Sequence, residues 1–258
     1  MYAIVRLFLA WSVVTASVVH AAEIAVRKYS PAVMVDGLVP VGSGSGLVIG
    51  EGLVLTNGHV VVDENGMPYA GFRVLVGPDY TKRFDACVEW VCESHDLALL
   101  RTSSDVKSLG LLVLDGVPPL GTQVNTYAFP LGNEFGIGLT STGGQITRHP
   151  VVATPDESNY DIKTSCWHDA VSAGGSSGGP LLTSRNILVG VHWGSLKNDK
   201  SHGNGFAVPG DVIAGFLRKS DAAKSVQFVD VAGLENSKST IDPKASSVFI
   251  EVLASPLP

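Results

Sequence analysis

The sequence has few of the features that mark membrane, nucleic-acid-binding or disulfide-framed proteins. Its 258 residues include three cysteines and only 16% charged residues, there is no lysine- or arginine-rich run, and the formal net charge is −6. A mildly acidic chain without a basic patch has no electrostatic attraction for nucleic acid or an anionic membrane surface, so neither is expected as a partner. Apolar residues make up 45% of the chain and glycines number 29, a composition that favours one large or two small packed domains with many turns.

The three cysteines, Cys87, Cys92 and Cys166, leave at least one thiol unpaired in a monomer. If Cys87 and Cys92 share one straight strand, a rise of about 3.3 Å per residue separates them by roughly 16 Å, too far for a bridge. Only a bend or a turn between them would permit a disulfide, and the sequence leaves this open.

The longest apolar run is at the N-terminus, where Arg6 precedes the uncharged segment Leu7 to Val19 and the small residues that end at Ala22. This pattern predicts a secretory signal peptide over residues 1–21. The run is shorter than the roughly 20 residues that a stable membrane span needs. We therefore expect a secreted or periplasmic protein with no stable membrane span after signal removal, with an uncleaved signal anchor as the alternative.

A glycine-rich turn, AGGSSGGPLL over residues 173–182, presents Ser177 immediately before an apolar run. A serine hydroxyl is a weak nucleophile unless a base and an orienting carboxylate lie beside it. Two segments supply candidates: His59 follows an apolar run in LTNGHVV, and Asp96 precedes another in SHDLALL. Each of the three could also be an ordinary strand-end or turn residue.

The segments SGSGLVIGEGLVLTNGHVV, HDLALL, GSSGGPLL and GNGFAVP, taken in order, resemble the trypsin-like peptidases and most closely their bacterial HtrA-like branch. The resemblance covers roughly residues 30 to 219. It implies an all-β fold of two antiparallel six-stranded barrels with the active site in the cleft between them and a short C-terminal helix. It also implies a serine endopeptidase that hydrolyses protein or peptide substrates through an acyl-enzyme, without metal or cofactor, and in which the backbone N–H groups of Gly175 and Ser177 form the oxyanion hole.

Two other functions remain open. HtrA relatives also act as periplasmic quality-control proteases that bind unfolded chains and accept small apolar residues before the scissile bond. A trypsin-like fold can also be a catalytically inactive binding protein.

Short apolar runs between glycines and prolines predict strands along most of the chain. We expect a protease domain over residues 22–220, with barrels over about 22–110 and 120–210. Within it, residues 46–49 and 53–56 predict a tight hairpin that leads to His59, and residues 137–147 predict a pair of strands.

A helix is predicted after Pro209, with Asp211 as its N-cap and an apolar face of Val212, Ile213, Phe216 and Leu217. His95, next to Asp96, is predicted to be a solvated turn residue. Residues 221–258 form a C-terminal extension, too short for the PDZ domain typical of HtrA enzymes, that either packs on the protease or is tied to it loosely.

Two positions depart from the trypsin pattern. Ser176 stands before the candidate nucleophile, where zymogen-activated trypsins carry an aspartate that pairs with a new N-terminus, so activation by that route is not expected. Val171, six positions before Ser177, replaces the aspartate that binds lysine or arginine, so a basic side chain before the scissile bond is not expected.

The segment GVHWGS resembles that of staphylococcal glutamyl endopeptidase, and it suggests a pocket that reads glutamate or glutamine. An imidazole and hydroxyl groups can hydrogen-bond a carboxylate or an amide. With an ordinary pKa of about 6.5, His192 should bind a carboxylate better when protonated, so glutamate should lose ground to glutamine as pH rises through that region. The alternative is that His192 faces away and the pocket accepts small apolar side chains. The candidate pocket residues are Val171, Ser172, His192, Trp193, Gly194, Ser195 and Gly205.

Overall fold

The computed structural model describes residues 24–29, 35–77, 79–103, 106–108, 110–132, 136–151, 165–196 and 205–256. The predicted signal peptide, residues 1–21, lies outside this part of the chain. None of the helices in the described ranges has the length and apolar character needed to cross a membrane. The strands are β1 (Arg27–Lys28), β2 (Val39–Gly50), β3 (Leu53–Thr56), β4 (Gly71–Val76), β5 (Lys82–Cys92), β6 (Leu97–Thr102), β7 (Leu112–Leu114), β8 (Gln123–Ala128), β9 (Thr140–Val151), β10 (Ser165–His168), β11 (Pro180–Thr183), β12 (Ile187–Ser195), β13 (Gly205–Pro209), β14 (Gln227–Val229) and β15 (Ser247–Ala254).

The first barrel contains a strand from the far end of the chain. Its strands follow the order β5-β4-β15-β2-β3-β6, and pairing of β5 with β6 closes it. Within β15, Phe249 is in register with Ser45 of β2 on one side and with Leu75 of β4 on the other. The apolar run predicted as part of an extension is therefore the sixth strand of the barrel that carries His59 and Asp96.

The second barrel follows the order β11-β8-β9-β10-β13-β12 and is closed by β11 against β12. Two antiparallel six-stranded barrels were predicted, and the structure confirms them. Residues 137–147 do not form the predicted pair of strands: β9 is one long strand that pairs with β8 and then with β10. Two short strands extend this sheet: β7 pairs with β12 in parallel, and β14 pairs with β7 in parallel.

Three short helices that lie entirely within the described residues accompany the barrels. They are α1 (Gly58–Val61), α2 (Gly210–Lys219) and α3 (Pro243–Ser246), and single 3-10 turns lie at Glu93–His95, Ala223–Ser225 and Val231–Gly233. The prediction that Asp211 caps α2 was wrong: extended Pro209 is the N-cap, and Asp211 lies in the first turn.

The apolar face of α2 was correctly predicted, because its residues recur at helical spacing and all four are buried. They belong to a core that joins the two barrels and holds the cleft walls in fixed relative positions. From the first barrel it includes Leu47, Ile49, Leu55, Leu97 and Leu99, from the second Val191 and Val208, and from α2 Ile213 and Phe216.

All three cysteines are buried thiols that form no disulfide. Cys87 and Cys92 lie on the same strand, β5. Burial raises the pKa of the Cys166 thiol to about 12, so this thiol remains protonated at neutral pH.

Candidate active site

The half-buried His59 and the fully buried Asp96 form a pair at one end of the first barrel. His59 lies in α1, directly after β3, and its Nδ1 is 2.8 Å from Asp96 Oδ2. The backbone N–H of His59 donates to Asp96 Oδ1, also at 2.8 Å. Asp96 is fully buried and has a left-handed backbone with φ of 51°, a conformation that is uncommon outside glycine. These contacts hold the carboxylate against the imidazole and direct Nε2 of His59 away from it.

The environment makes His59 more basic. Burial lowers the pKa of His59, but the charge of Asp96 and its hydrogen bond raise it, and the net result is a raised pKa. The pair therefore stabilises a proton on the imidazole, as a general base requires when it removes a proton from a nucleophile.

The turn around Ser177 needs glycine at two places. Gly175 and Gly178 have φ of 88° and 86°, where L side chains are strained. A Cβ on Gly175 would lie 2.6 Å from Phe129 O, and a Cβ on Gly178 would overlap Ser45 O. Ser177 Oγ donates to Trp193 O at 3.4 Å, and Ser177 lines the same cavity as His59.

Hydrogen bonds to the carbonyl oxygens of Gly174 and Gly175 orient the N–H of Gly175. Leu131 N–H donates to Gly174 O at 2.7 Å, and in a trans peptide the next N–H points the opposite way, away from Leu131. The hydroxyl of Ser45 donates to Gly175 O at 2.7 Å and accepts from Phe129 N at 2.9 Å, so the first barrel braces this turn. The N–H of Gly175 is thus directed away from Leu131, an orientation that suits an anion-binding turn.

Asn57 connects the site and was not predicted. Its Nδ2 donates to Asp96 O at 2.8 Å, and its Oδ1 accepts from Gly178 N at 2.6 Å. One buried amide therefore ties the loop that carries Asp96 to the turn that carries Ser177. The available signal was a polar side chain in an apolar segment, two residues before His59.

Ser176 is buried and braces the same turn from within. Its N–H donates to Ala173 O at 3.0 Å, and its Oγ accepts from Ala173 N at 3.2 Å. The turn is thus closed by a neutral hydroxyl at the position where trypsins have a carboxylate.

The trypsin-like peptidase domain family matches residues 44–191, more than half of the chain. The chain belongs to the trypsin-like peptidases. It is 32% identical to Protease Do-like 1, chloroplastic, of Arabidopsis thaliana over 79% of this chain and 44% of that protein. It is 28% identical to the periplasmic pH-dependent serine endoprotease DegQ of Escherichia coli over 66% of this chain and 35% of that protein. The chain thus spans less than half the length of these relatives.

Solved structures of proteases share the fold of this chain. The Rv3671c protease in its inactive form shares 27% identity at a TM-score of 0.54, over 68% of this chain and 82% of that one. The HtrA-type protease AlgW with a decapeptide shares 23% identity at a TM-score of 0.51, over 64% of this chain and 47% of that one, and supports the fold.

Several predicted pocket residues of this trypsin-like peptidase lie near the surface. Val171 is 66% exposed, with its carbonyl accepting from Thr142 Oγ1 at 2.7 Å. Ser172 is half-buried and Ser195 is exposed. Gly194, between Trp193 and Ser195, is half-buried.

The Trp193 side chain packs outside the predicted pocket. Its indole stacks on Phe206 at a centroid distance of 5.1 Å, so the contribution of Trp193 beside Ser177 is its carbonyl oxygen.

His192 is buried against a second histidine. Its Nδ1 lies 3.0 Å from Nε2 of His168, and a Cβ on Gly205 would overlap the His168 ring. Burial, with the neighbouring His168 and His59, lowers the pKa of His192 to about 3. Burial likewise lowers the pKa of His168 to about 4, although Asp169 acts in the opposite direction. The expectation that His192 titrates near 6.5 was therefore wrong, and the imidazole is neutral at physiological pH.

His95 differs from its prediction as well. It is buried rather than solvated, with Nδ1 2.9 Å from Ser94 Oγ and 3.5 Å from Cys92 Sγ. Its Nδ1 thus faces β5 and the adjoining turn. The described ranges hold no group of three or more His, Cys, Asp or Glu side chains arranged to bind a metal ion.

Proposed function

We propose that the chain is a serine endopeptidase in which Ser177 is the nucleophile, His59 the general base and Asp96 the group that orients His59. The observation that carries this proposal is the 2.8 Å contact between the buried Asp96 and the half-buried His59, which shares a cavity with Ser177. His59 takes the hydroxyl proton as Ser177 attacks the peptide carbonyl, and then donates it to the leaving amine. Water then attacks the acyl-enzyme while His59 takes a proton from it, and His59 passes that proton to Ser177 Oγ as the acid product leaves.

The negative charge on the carbonyl oxygen is stabilised by the N–H groups of Gly175 and Ser177. Support comes from the hydrogen bond between Leu131 N and Gly174 O, because it directs the Gly175 N–H of the same peptide away from Leu131. Removing one such donor in comparable enzymes costs about 3–4 kcal/mol of transition-state stabilisation.

The experiment that tests the mechanism is labelling with a fluorophosphonate probe, together with cleavage of a denatured protein substrate. Wild type should be labelled and active, and Ser177→Ala should lose both while keeping the same melting temperature. Ser43→Ala is a matched control, because Ser43 lines the same cavity. If Ser177→Ala cleaved as fast as wild type, the assignment of the nucleophile would be wrong, and an unlabelled, inactive wild type would favour a binding protein.

Activity should not require a newly formed N-terminus. The hydroxyl of Ser176, already bonded to Ala173 N, offers no carboxylate with which a terminal ammonium could pair. Protein with extra N-terminal residues should therefore cleave at the wild-type rate. Activity that arises only after a defined N-terminal cut would contradict this.

The P1 residue, which precedes the scissile bond, is proposed to be glutamate or glutamine, read by His192 with Ser172 and Ser195. His168 Nδ1 is buried and has no partner, so we assign the His168 proton to Nε2, from which it is donated to His192 Nδ1. The proton of His192 then lies on Nε2, available to an oxygen of the P1 side chain. A neutral N–H can donate to an amide oxygen or to a carboxylate oxygen, so the ratio of glutamate to glutamine cleavage should not follow His192 protonation near neutral pH.

A peptide library varied at P1, assayed with wild type and His192→Ala, tests the pocket. A site built to hydrogen-bond a substrate group can reject an analogue that lacks it by up to ~10⁴. A wild-type preference for valine, alanine or leucine would refute this pocket and favour the small apolar preference of HtrA proteases, leaving the nucleophile unaffected.

Secretion through a cleaved signal over residues 1–21 is part of the proposal, as is a periplasmic setting like the one in the name of DegQ. Mass spectrometry of protein recovered from the extracellular or periplasmic fraction tests it. A mature N-terminus at Ala22 or Glu23 is expected, and an intact Met1 would favour an uncleaved anchor.

A further inference from the structure

A serine of the first barrel holds both ends of the segment that carries the proposed oxyanion donors. Ser45 lies in β2 and is fully buried. Its Oγ donates to Gly175 O at 2.7 Å, and its backbone N–H donates to Ser177 O at 2.8 Å. The N–H groups of Gly175 and Ser177 therefore lie on a segment whose two end carbonyls are both bonded to one residue.

The main chain of Ser45 is itself fixed. Its carbonyl accepts from Thr56 Oγ1 at 2.7 Å, and the residue is in register with Phe249 of β15. Because β2 lies between β15 and β3 in a closed barrel, Ser45 cannot shift without disturbing strand pairing. The Ser45 side chain therefore acts on the turn from a fixed support.

The neighbours of the Ser45 hydroxyl determine where its proton lies. A hydroxyl group has one proton to donate and two lone pairs that accept. Phe129 N–H donates to Ser45 Oγ at 2.9 Å, so the single hydroxyl proton is left for Gly175 O. The buried Phe129 ring makes T-shaped contacts with Tyr80 and Phe249 at centroid distances of 4.7 and 5.8 Å, which hold this donor in place.

The peptides on either side of Gly175 need such an anchor. Glycine adopts positive and negative φ about equally well, so nothing in the residue itself keeps Gly175 at its φ of 88°. Leu131 N–H holds the peptide before it at Gly174 O, and the Ser45 hydroxyl holds the peptide after it at Gly175 O. Since φ and ψ of Gly175 are the torsions between these two peptides, the two bonds together set the direction of the Gly175 N–H.

We propose that Ser45 is a positioning residue for the oxyanion hole, whose hydroxyl orients the backbone of Gly175 so that the Gly175 N–H meets the oxyanion in the transition state. This inference rests on the proposed function, since it takes Gly175 and Ser177 as the oxyanion donors. Ser45 acts through the Gly175 backbone and not through the imidazole of His59. Its removal should therefore weaken transition-state binding and leave the ionisation of His59 as it is in wild type.

Ser45→Ala tests the proposal by kcat and KM, by the pH profile, and by the affinity of a peptide boronic acid that forms a tetrahedral adduct with Ser177. Removing an oxyanion donor costs roughly 10²–10³ in kcat, and this variant keeps the donor but frees its orientation, so kcat should fall by roughly 10- to 10²-fold. KM should be unchanged, because the interaction is made only in the transition state. The boronic acid should lose affinity by the same factor as kcat/KM, and the pH at which activity is lost in acid should not move.

Ser220→Ala is the matched control, because Ser220 is also buried and its Oγ donates to a backbone carbonyl, Phe216 O, at 2.8 Å. It should lower the melting temperature without changing kcat or the affinity for the boronic acid. Ser45→Cys keeps a weaker donor at the same position and should lie between wild type and Ser45→Ala. It carries the test if Ser45→Ala does not fold.

Four results would overturn the proposal. They are a folded Ser45→Ala or Ser45→Cys with wild-type kcat and boronic acid affinity, an equal loss in Ser220→Ala, a loss of kcat without loss of boronic acid affinity, and a shifted acid limb of the pH profile. None of these would affect the assignment of the nucleophile. Failure of the proposed mechanism is seen separately, as cleavage by Ser177→Ala.

Discussion

Replacing Asn57 by alanine should weaken both the fold and the reaction, because this amide joins the Asp96 loop to the Ser177 turn. The change removes the donor to Asp96 O, leaving a buried carbonyl without its side-chain partner, at a cost of about 1–3 kcal/mol. It also removes the acceptor for Gly178 N, but this N–H keeps a second bond to His192 O at 2.8 Å. The loss of that extra bond adds about 0.5–1.5 kcal/mol, so the free energy of unfolding should fall by about 2–4 kcal/mol.

The effect on activity follows from the backbone of Asp96. Its left-handed conformation is held in part by the Asn57 amide, and without it the carboxylate can rotate away from His59. Burial lowers the pKa of His59 and Asp96 raises it, so a displaced carboxylate should lower the pKa at which activity is lost in acid. The loss in kcat should lie between roughly 10-fold and the ~10⁴-fold found when the orienting carboxylate of such a triad is neutralised.

Unfolding by urea is measured in a Ser177→Ala background, which prevents self-cleavage, and kcat/KM is measured as a function of pH in the active protein. Asn125→Ala, at a half-buried position on β8, is the control for removal of an amide. If Asn57→Ala matched the control in stability, rate and pH profile, Asn57 would have no role in joining the two loops.

Three other substitutions probe separate parts of the structure. Gly178→Ala should give inactive, poorly folded protein, since its Cβ would overlap Ser45 O at a positive φ; a soluble active variant with an unchanged melting temperature would contradict this. Phe249→Ala should lower the free energy of unfolding by about 3–5 kcal/mol in urea titrations, because this fully buried ring lies in the strand that completes the first barrel, and a loss under 1 kcal/mol would show that β15 is dispensable. His168→Leu should reduce the preference for glutamate and glutamine at P1 by at least about 10-fold through the loss of the donor to His192 Nδ1, and an unchanged P1 profile would refute the assigned tautomer.

The hairpin before His59 could be predicted because its signal is local, and the catalytic candidates were proposed from equally local signals. The apolar runs at residues 46–49 and 53–56 are separated by Gly50 and Gly52, which favours a tight turn. In the structure β2 and β3 pair with each other there. The serine turn was recognisable from glycines that the backbone conformation requires at Gly175 and Gly178.

Long-range partners could not be predicted in the same way. The apolar run of β15 would look the same on a barrel surface as within a barrel, since strand pairing between distant segments leaves no periodicity in one sequence. His192 likewise has a distant partner, His168, which lies on another strand. Burial, which the sequence does not show, lowers the pKa of the His192 imidazole. Asn57 had a local signal, but its two partners are 39 and 121 residues away.

The position of β15 also sets the order in which the enzyme can become active. A ribosome makes His59, Asp96 and Ser177 well before residues 247–254, so the nascent chain holds every reacting group while one strand of the first barrel is still missing. Until that strand pairs with β2 and β4, the edges of both strands are unpaired. The barrel that carries His59 and Asp96 can therefore close only after residues 247–254 have been synthesised.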